Sequence, residues 1–495
     1  MRKVSTVYLV CFSLLLLSTI VYGDFYKRAP DVLPGTLPEM RNPEFWIARM
    51  EKPDEVVLSP EAIQRMNEDY KRKISSPDPF RGVVKERIPL LDHWWPGFEM
   101  AITDLSTMTP QVIADTVKVK IQKEIDYVKG MPFGNALAIE YADWEIDGFV
   151  DEMALDLVGN SVEIKHGIAV QTAQLRSVPS FFPMQVGLWE NGKTRWDLFG
   201  ISILKIAKPV TVLHRSRSGE YLFVLCGEGY GWVRSVDIAI GTRERINQFA
   251  NPENFVVCTG NRVMFYSDES CEYASGYFRM GDRLPLTEDN NTRKISVPVR
   301  TSYGALIAGR VWLAEDADVS VGWLPYTRRN VVTTAFKLLD ESFDWTGAWF
   351  GRSAESPYRD IFACFGFELP FHGNLFTHFG NTERVAIPSK GKGADATKTS
   401  AGYGAKPSGE AVEGMYSVIL ENEPFLTIQT IGGNGHSQLL LGEYNGEPYV
   451  LDQHGYGYTG EDGTEYEIKR CVIENMGMGV PAYALPNPIV FCELK

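Results

Sequence analysis

Apolar positions recur along this chain with two periods, and the changes of period divide it. From residue 24 to about 155 the spacing is helical. Ser59-Pro60-Glu61-Ala62 supplies a capping serine, a proline for the first turn and a following acid, and residues 117–128 keep the same rhythm. From 167 to about 240 the period shortens to that of strands. Val210-Thr211-Val212-Leu213-His214-Arg215 and Tyr221-Leu222-Phe223-Val224-Leu225-Cys226 flank Ser216-Arg217-Ser218-Gly219, a turn by composition, and Gly231-Trp232-Val233 predicts a further strand. Short strands at this spacing suggest a small barrel. A second set runs from 255 to about 325, with Asp289-Asn290-Asn291-Thr292 as a loop inside it. From 330 the pattern predicts a helix over 331–339, an aromatic and glycine-rich loop, a second helix near 357–365 and then strands to the end. Helices followed by an antiparallel sheet give an α+β domain. Residues 390–409, rich in Gly, Ser, Lys and Ala, predict a surface loop.

A length of 495 residues exceeds one ordinary core and implies about two to four domains. The expected divisions are 24–155, 156–250, 251–328 and 329–495. Hydrophobic content of 44% and charged content of 23% belong to a globular protein. Arg2 and Lys3, the apolar run over 7–21 and the small residues of Val21-Tyr22-Gly23 predict a signal peptide over 1–23. An uncleaved anchor is the alternative, although the run is short for a span. Cys11 lies inside that run with apolar residues after it, which argues against a lipoprotein cysteine. The mature chain is expected to be exported, periplasmic or extracellular, with no membrane attachment.

The formal net charge is −14, and losing Arg2 and Lys3 makes it more negative. Phosphate binding needs a basic stripe, so nucleic acid is excluded as a partner. Beyond the leader the cysteines are Cys226, Cys258, Cys271, Cys364, Cys471 and Cys492. Their even number permits disulfides in an oxidising compartment, but the spacing specifies none. No Cys-x-x-Cys or His-Glu-x-x-His run is present, and neither a metal nor a cofactor is expected.

Several motifs, taken in order, resemble one architecture. Asn42-Pro43-Glu44-Phe45-Trp46-Ile47 and Lys52-Pro53-Asp54 resemble the helical stabilising domain found ahead of some NlpC-type cell-wall peptidases. Gly167-Ile168, Leu175-Arg176-Ser177-Val178-Pro179 and Gly231-Trp232-Val233 resemble the first of two bacterial SH3-like barrels. Arg279-Met280-Gly281-Asp282-Arg283-Leu284-Pro285 and Val321-Gly322-Trp323-Leu324-Pro325-Tyr326-Thr327-Arg328 resemble the second, and the last segment resembles the papain-like domain. The resemblance covers almost the whole mature chain. It implies a cysteine peptidase that cuts γ-D-glutamyl-diamino acid bonds in peptidoglycan stem peptides. Such a site combines a Cys at a helix start, a His on a facing strand and a polar residue orienting the His. A helix start and an imidazole both favour thiolate, which makes the sulfur reactive.

In this subgroup the cysteine sits in an Arg-Asp-Cys-Ser run after a Tyr-x-Trp-Gly-Gly loop. Here the loop is Phe343-Asp344-Trp345-Thr346-Gly347 and the run is Arg352-Ser353-Ala354-Glu355. Ala354 occupies the nucleophile position, and a methyl group can neither attack a carbonyl nor carry an acyl group. Ser353 and Ser356 are nearby hydroxyls that need stronger base assistance than a thiol. Cys364, farther along the same helix, is expected to pack in the core. Gly435-His436 followed by Leu439-Leu440-Leu441-Gly442 resembles the histidine strand. Past the turn Asn445-Gly446, Asp452 falls at the third position, with His454 a near competitor; each also suits an ordinary polar surface residue.

By the same resemblance Phe343, Trp345, Ser353 and Glu355 line the substrate pocket. Of Trp94, Trp95, Trp232, Trp323, Trp345 and Trp349, only Trp345 is expected at the cleft, the others serving packing. Departures at 343, 353, 354 and 355 together suggest natural drift, an engineered Cys-to-Ala form being the alternative. The chain as written is therefore expected to be inactive. Two readings follow: a cell-wall peptidase lineage, or a non-catalytic module that binds stem peptide or a protein partner.

Overall fold

Capping and strand alternation explain most of the elements. The computed structural model describes residues 27–74, 105, 108–130, 133–134, 140–182, 185–186, 197–287, 291–347, 350–370, 376, 378–385, 410–431, 436–455, 457–460, 463–476 and 489–495. The leader expected at 1–23 and the loop expected at 390–409 lie outside them. No described helix is long and apolar enough to cross a membrane.

The N-terminal helices divide between two cores. Pro43–Ile47 starts where the Asn42 side chain accepts from the Glu44 amide, and Ser59 Oγ accepts from Ala62 N at the start of Pro60–Ile74. Trp46, Ile47, Ile63 and Tyr70 are buried with Tyr326, Val331 and Phe362, far along the chain. Helix Pro110–Gly130 instead buries Ile113, Val117 and Ile121 against Phe199, Phe223 and Trp232. Periodicity identifies an apolar face but not the core that receives it.

Gln185–Val186 pairs separately with Phe133–Gly134, while seven other strands between 165 and 240 form one sheet. Its order is Ile238–Ile240, Lys165–Ala169, Pro209–Arg215, Tyr221–Cys226, Gly229–Arg234, Ala173–Arg176, Gly200–Leu204. The next region makes a three-stranded sheet centred on Phe255–Cys258 and a four-stranded sheet of Ala274–Arg279, Arg262–Tyr266, Leu306–Trp312 and Lys294–Arg300. Ile168, Ile246 and Phe249 share a core with Val256, Phe278 and Ile295, so the two β regions are packed together.

The C-terminal sheet has six antiparallel strands in the order Asn381–Val385, Ile489–Glu493, Thr427–Ile431, His436–Tyr444, Glu447–His454, Arg470–Asn475. One face buries Ile428, Leu439, Leu451 and Ile473 with Tyr358, Ile361 and Phe362 of the helix Ser356–Ala363. On the other, Leu440, Val450 and Phe491 meet Met415 and Ile419 of Glu410–Leu420. The turn Asn445-Gly446 has φ of 55° and 81°, the left-handed pair that a tight hairpin demands.

Helix Arg328–Phe336 begins ahead of the expected 331–339 because the Thr327 hydroxyl accepts from Asn330 N and fixes an earlier start. Ser356–Ala363 ends at Cys364, short of the expected 365. A short strand, Lys27–Arg28, runs parallel to Glu465–Glu467, so the first described residues are joined to the last domain.

Candidate active site

The segment around Ala354 is held from below by a buried arginine. Arg352 is fully buried, its guanidinium 2.9 Å from Asp360 and 3.1 Å from Glu341, with Asn261 as a further partner. Its backbone accepts from Asp344 N at 2.8 Å and from the Gln453 side-chain amide at 3.2 Å. Burial raises the Asp360 pKa, but Lys205, Arg352 and Arg279 overcome it and bring it down to about 2. Residues 353–355 are thus pinned between an ion cluster and the helix that follows.

That helix opens with Pro357 in its first turn and Glu355 at the cap position, where the Glu355 side chain caps nothing. Ser353 donates to Ser356 Oγ at 3.3 Å, and Ser356 donates back to the Ser353 carbonyl at 3.2 Å. Ala354 lies between them, half-buried, presenting a methyl group at the helix start.

His436 is the first residue of its strand, and its Nε2 lies 2.9 Å from Asp452 Oδ2. Gln438 donates to the same carboxylate oxygen at 2.7 Å. Asp452, not His454, is therefore the imidazole's partner, and Gln438 braces it. Burial pushes the His436 pKa down, yet the Asp452 and Glu355 carboxylates outweigh this and hold it above the ordinary histidine value. Asp452 is pushed up by burial and pulled down harder by His436, to about 2.

The influence of Glu355 on His436 links the helix start to the histidine strand across a long sequence separation. Alternation puts His436 and Gln438 on the face of Leu440, while Leu439 and Leu451 meet the helix flank. It is the N-terminal end of the helix that comes within electrostatic reach of the imidazole. Tyr358, in the first turn, donates to the Leu451 carbonyl at 3.1 Å and ties the helix to the strand carrying Asp452.

The loop residues come from the other side. The half-buried Phe343 ring lies so close to Gly455 that a Cβ there would sit 2.6 Å from it. Trp345 belongs to the short turn Trp345–Gly347, which packs on strand Gly200–Leu204; a Cβ on Gly200 would strike Thr346. Both β regions also hold this unit by charge. Lys205 lies 2.6 Å from Asp360 and Arg359 lies 3.1 Å from Glu228, while Arg279 donates to the Phe350 and Gly351 carbonyls at 2.7 and 2.8 Å.

Of the other tryptophans, Trp232 is core and Trp323 packs edge-on against Phe255; Trp94, Trp95 and Trp349 lie outside the described residues. Cys364 is buried, donates to the Cys258 carbonyl, and burial pushes its thiol up to about 12, so it is a packed thiol and no nucleophile. The six cysteines among the described residues are all free thiols. Sequence reasoning missed Gln438 and Glu474, buried polar residues that share the sheet face of Asp452. Only an alternation count on the histidine strand would have singled out Gln438.

No curated protein sequence matches the chain. A family profile described as an SH3 domain (SH3b1 type) matches residues 190–234, which hold four strands of the seven-stranded sheet. Among solved structures the chain is similar to an NlpC/P60 endopeptidase from Photobacterium damselae subsp. piscicida, with a TM-score of 0.63 and 15% identity over 91% of this chain and 96% of that one. An NlpC/P60 family protein from Bacillus cereus ATCC 10987 matches at 15% identity and a TM-score of 0.38, over 65% of this chain and 97% of its own. The chain thus has the multidomain fold of an NlpC/P60 endopeptidase, with an SH3b-type domain among its β regions.

Proposed function

We propose that the mature chain is an exported protein that binds peptidoglycan stem peptides on the framework of a γ-D-glutamyl-L-diamino acid endopeptidase and does not cleave them. Residues 1–23 would be the signal peptide, 24–155 the stabilising domain, 156–250 and 251–328 the SH3-like domains, and 329–495 the papain-like domain. The observation that carries the reading is the methyl of Ala354 at a helix start within electrostatic reach of the His436–Asp452 pair. Acyl transfer by this type of site needs a thiolate there. Phe343, Trp345, Ser353 and Glu355 would line the peptide pocket.

The intact His436–Asp452 bond favours a second reading, in which the chain is the Cys-to-Ala form of an active peptidase. The test incubates purified mature protein with L-Ala-γ-D-Glu-diaminopimelate, following product by chromatography and binding by calorimetry. Saturable binding without turnover is the expected result. Turnover, or no binding at all, would overturn the proposal.

A further inference from the structure

Three ligand-type side chains converge in the C-terminal sheet behind His436. Asp452 and His454 sit two apart on Glu447–His454 and so share a face. Glu474 comes from the neighbouring strand, where it pairs with Val450 while Val472 pairs with Asp452, and is thus a diagonal neighbour on that face. One ligand atom from each of the three lies within 4.8 Å of the others, and all three residues are buried.

The polar partners leave one side of each carboxylate open. Asp452 Oδ2 takes the bonds from His436 and Gln438, while Gln438 also donates to Glu474 Oε1 at 3.3 Å. Asp452 Oδ1 and Glu474 Oε2 are buried and have no hydrogen-bond partner. His454 Nε2 stands 3.8 Å from that Glu474 oxygen. The Glu474 oxygen and the imidazole nitrogen thus face each other, a ligand atom of Asp452 lies within 4.8 Å of both side chains' ligand atoms, and Gln438 bridges the two carboxylates.

We infer that Asp452, His454 and Glu474 form a buried site for a divalent transition-metal cation. If both carboxylates were ionised here, a divalent ion would offset a charge that an apolar interior does not tolerate alone. Mixed imidazole and carboxylate donors suit zinc, at about 2.0–2.2 Å from each ligand, so the three side chains would draw together around the ion. A proton shared between the carboxylates is the competing solution. The buried ligands imply that the ion enters as the domain folds.

Bound there, the ion would fix Asp452 through Oδ1 and leave Oδ2 to orient His436, as outer-shell partners do at metal centres. This inference stands whatever the cleft binds. The test uses the full mature chain, stripped with a chelator, reloaded with zinc sulfate and desalted. Elemental analysis should find one zinc per chain, and thermal unfolding should shift upward on loading and downward on stripping.

Glu474→Gln and His454→Gln should each weaken zinc retention by ~100-fold or more. Cobalt loading should give the visible absorption of a low-coordinate site, which both variants lose. If the unsubstituted chain retains no zinc and its unfolding ignores zinc, the cluster holds a proton and the inference fails. It fails equally if folded variants retain zinc as the parent does.

Discussion

At position 354 the question is what one atom of sulfur would do. The helix start and His436 would both favour a thiolate there, but Glu355 adds a carboxylate beside it, and a nearby negative charge disfavours thiolate. On the proposed reading Phe343 and Ser353 would also alter positioning, and misplacement alone costs about 10²-fold in rate. Ala354→Cys is therefore expected to stay nearly inactive on L-Ala-γ-D-Glu-diaminopimelate. Adding Ser353→Asp and Glu355→Ser should be needed before the peptide is cut, as measured by release of the diamino acid product with and without a thiol-blocking reagent. Robust, thiol-sensitive turnover by the single variant would identify an engineered form. The His436–Asp452 bond could be read in advance because a hairpin turning at Asn445-Gly446 fixes which residues face each other. Glu474 could not, since no local spacing announces a residue delivered by the next strand over.

Some elements were legible from the cap or turn that marks them, while the helix Arg243–Ala250, capped by Thr242, was not read. Ser59 and Pro60 announced one helix, and the strand Tyr221–Cys226 has the expected ends. The hydroxyl of Thr327 moved another helix earlier than its apolar pattern, because a cap bond outranks the periodicity of the residues after it. Arg352 was visible as a motif residue, but its burial was not: its partners Glu341, Asp360 and Asn261 come from separate stretches of chain. Arg352→Ala would leave two carboxylates, each nearly buried, without their shared cation. Such a break costs about 3–5 kcal/mol. Denaturant unfolding of the variant should show a loss of that order, with the segment 353–355 becoming the first site of proteolytic nicking. A variant as stable as the parent would mean that Lys205 and Arg279 suffice to neutralise Asp360 and Arg262 suffices for Glu341.

Across the whole molecule, the contact between the first β region and the helix Ser356–Ala363 rests on ions that acid can dismantle. Glu228 faces Lys208 and Arg359, and although burial raises its pKa these cations bring it from the ordinary 4.5 down to about 2. Asp360 is likewise depressed, burial notwithstanding, from 3.8 to about 2 by Lys205 and its arginines. A carboxylate whose folded pKa is depressed stabilises fully above its unfolded pKa and loses that contribution as pH falls through the folded one. Stability should therefore be intact above about pH 5 and fall progressively toward pH 2, by about 3 kcal/mol for Glu228. Glu228→Gln should flatten its share of that slope in unfolding measured between pH 2 and 6.

The strand Lys27–Arg28 has a different kind of consequence. Arg470 reaches the carbonyls of Ala29 and Pro30, and Ala29 and Leu33 are buried with Ile468 and Val472. Synthesis delivers these partners in reverse order of need, the earliest residues of the fold waiting for some of the last. The span to be closed is nearly the whole chain, yet its entropic cost grows only logarithmically, about 0.6 kcal/mol for each doubling. The delay falls on timing rather than on final stability. Until the segment around 465–472 takes its place, the surface that covers Ala29 and Leu33 is incomplete, and this corner closes with residues from far apart in the sequence.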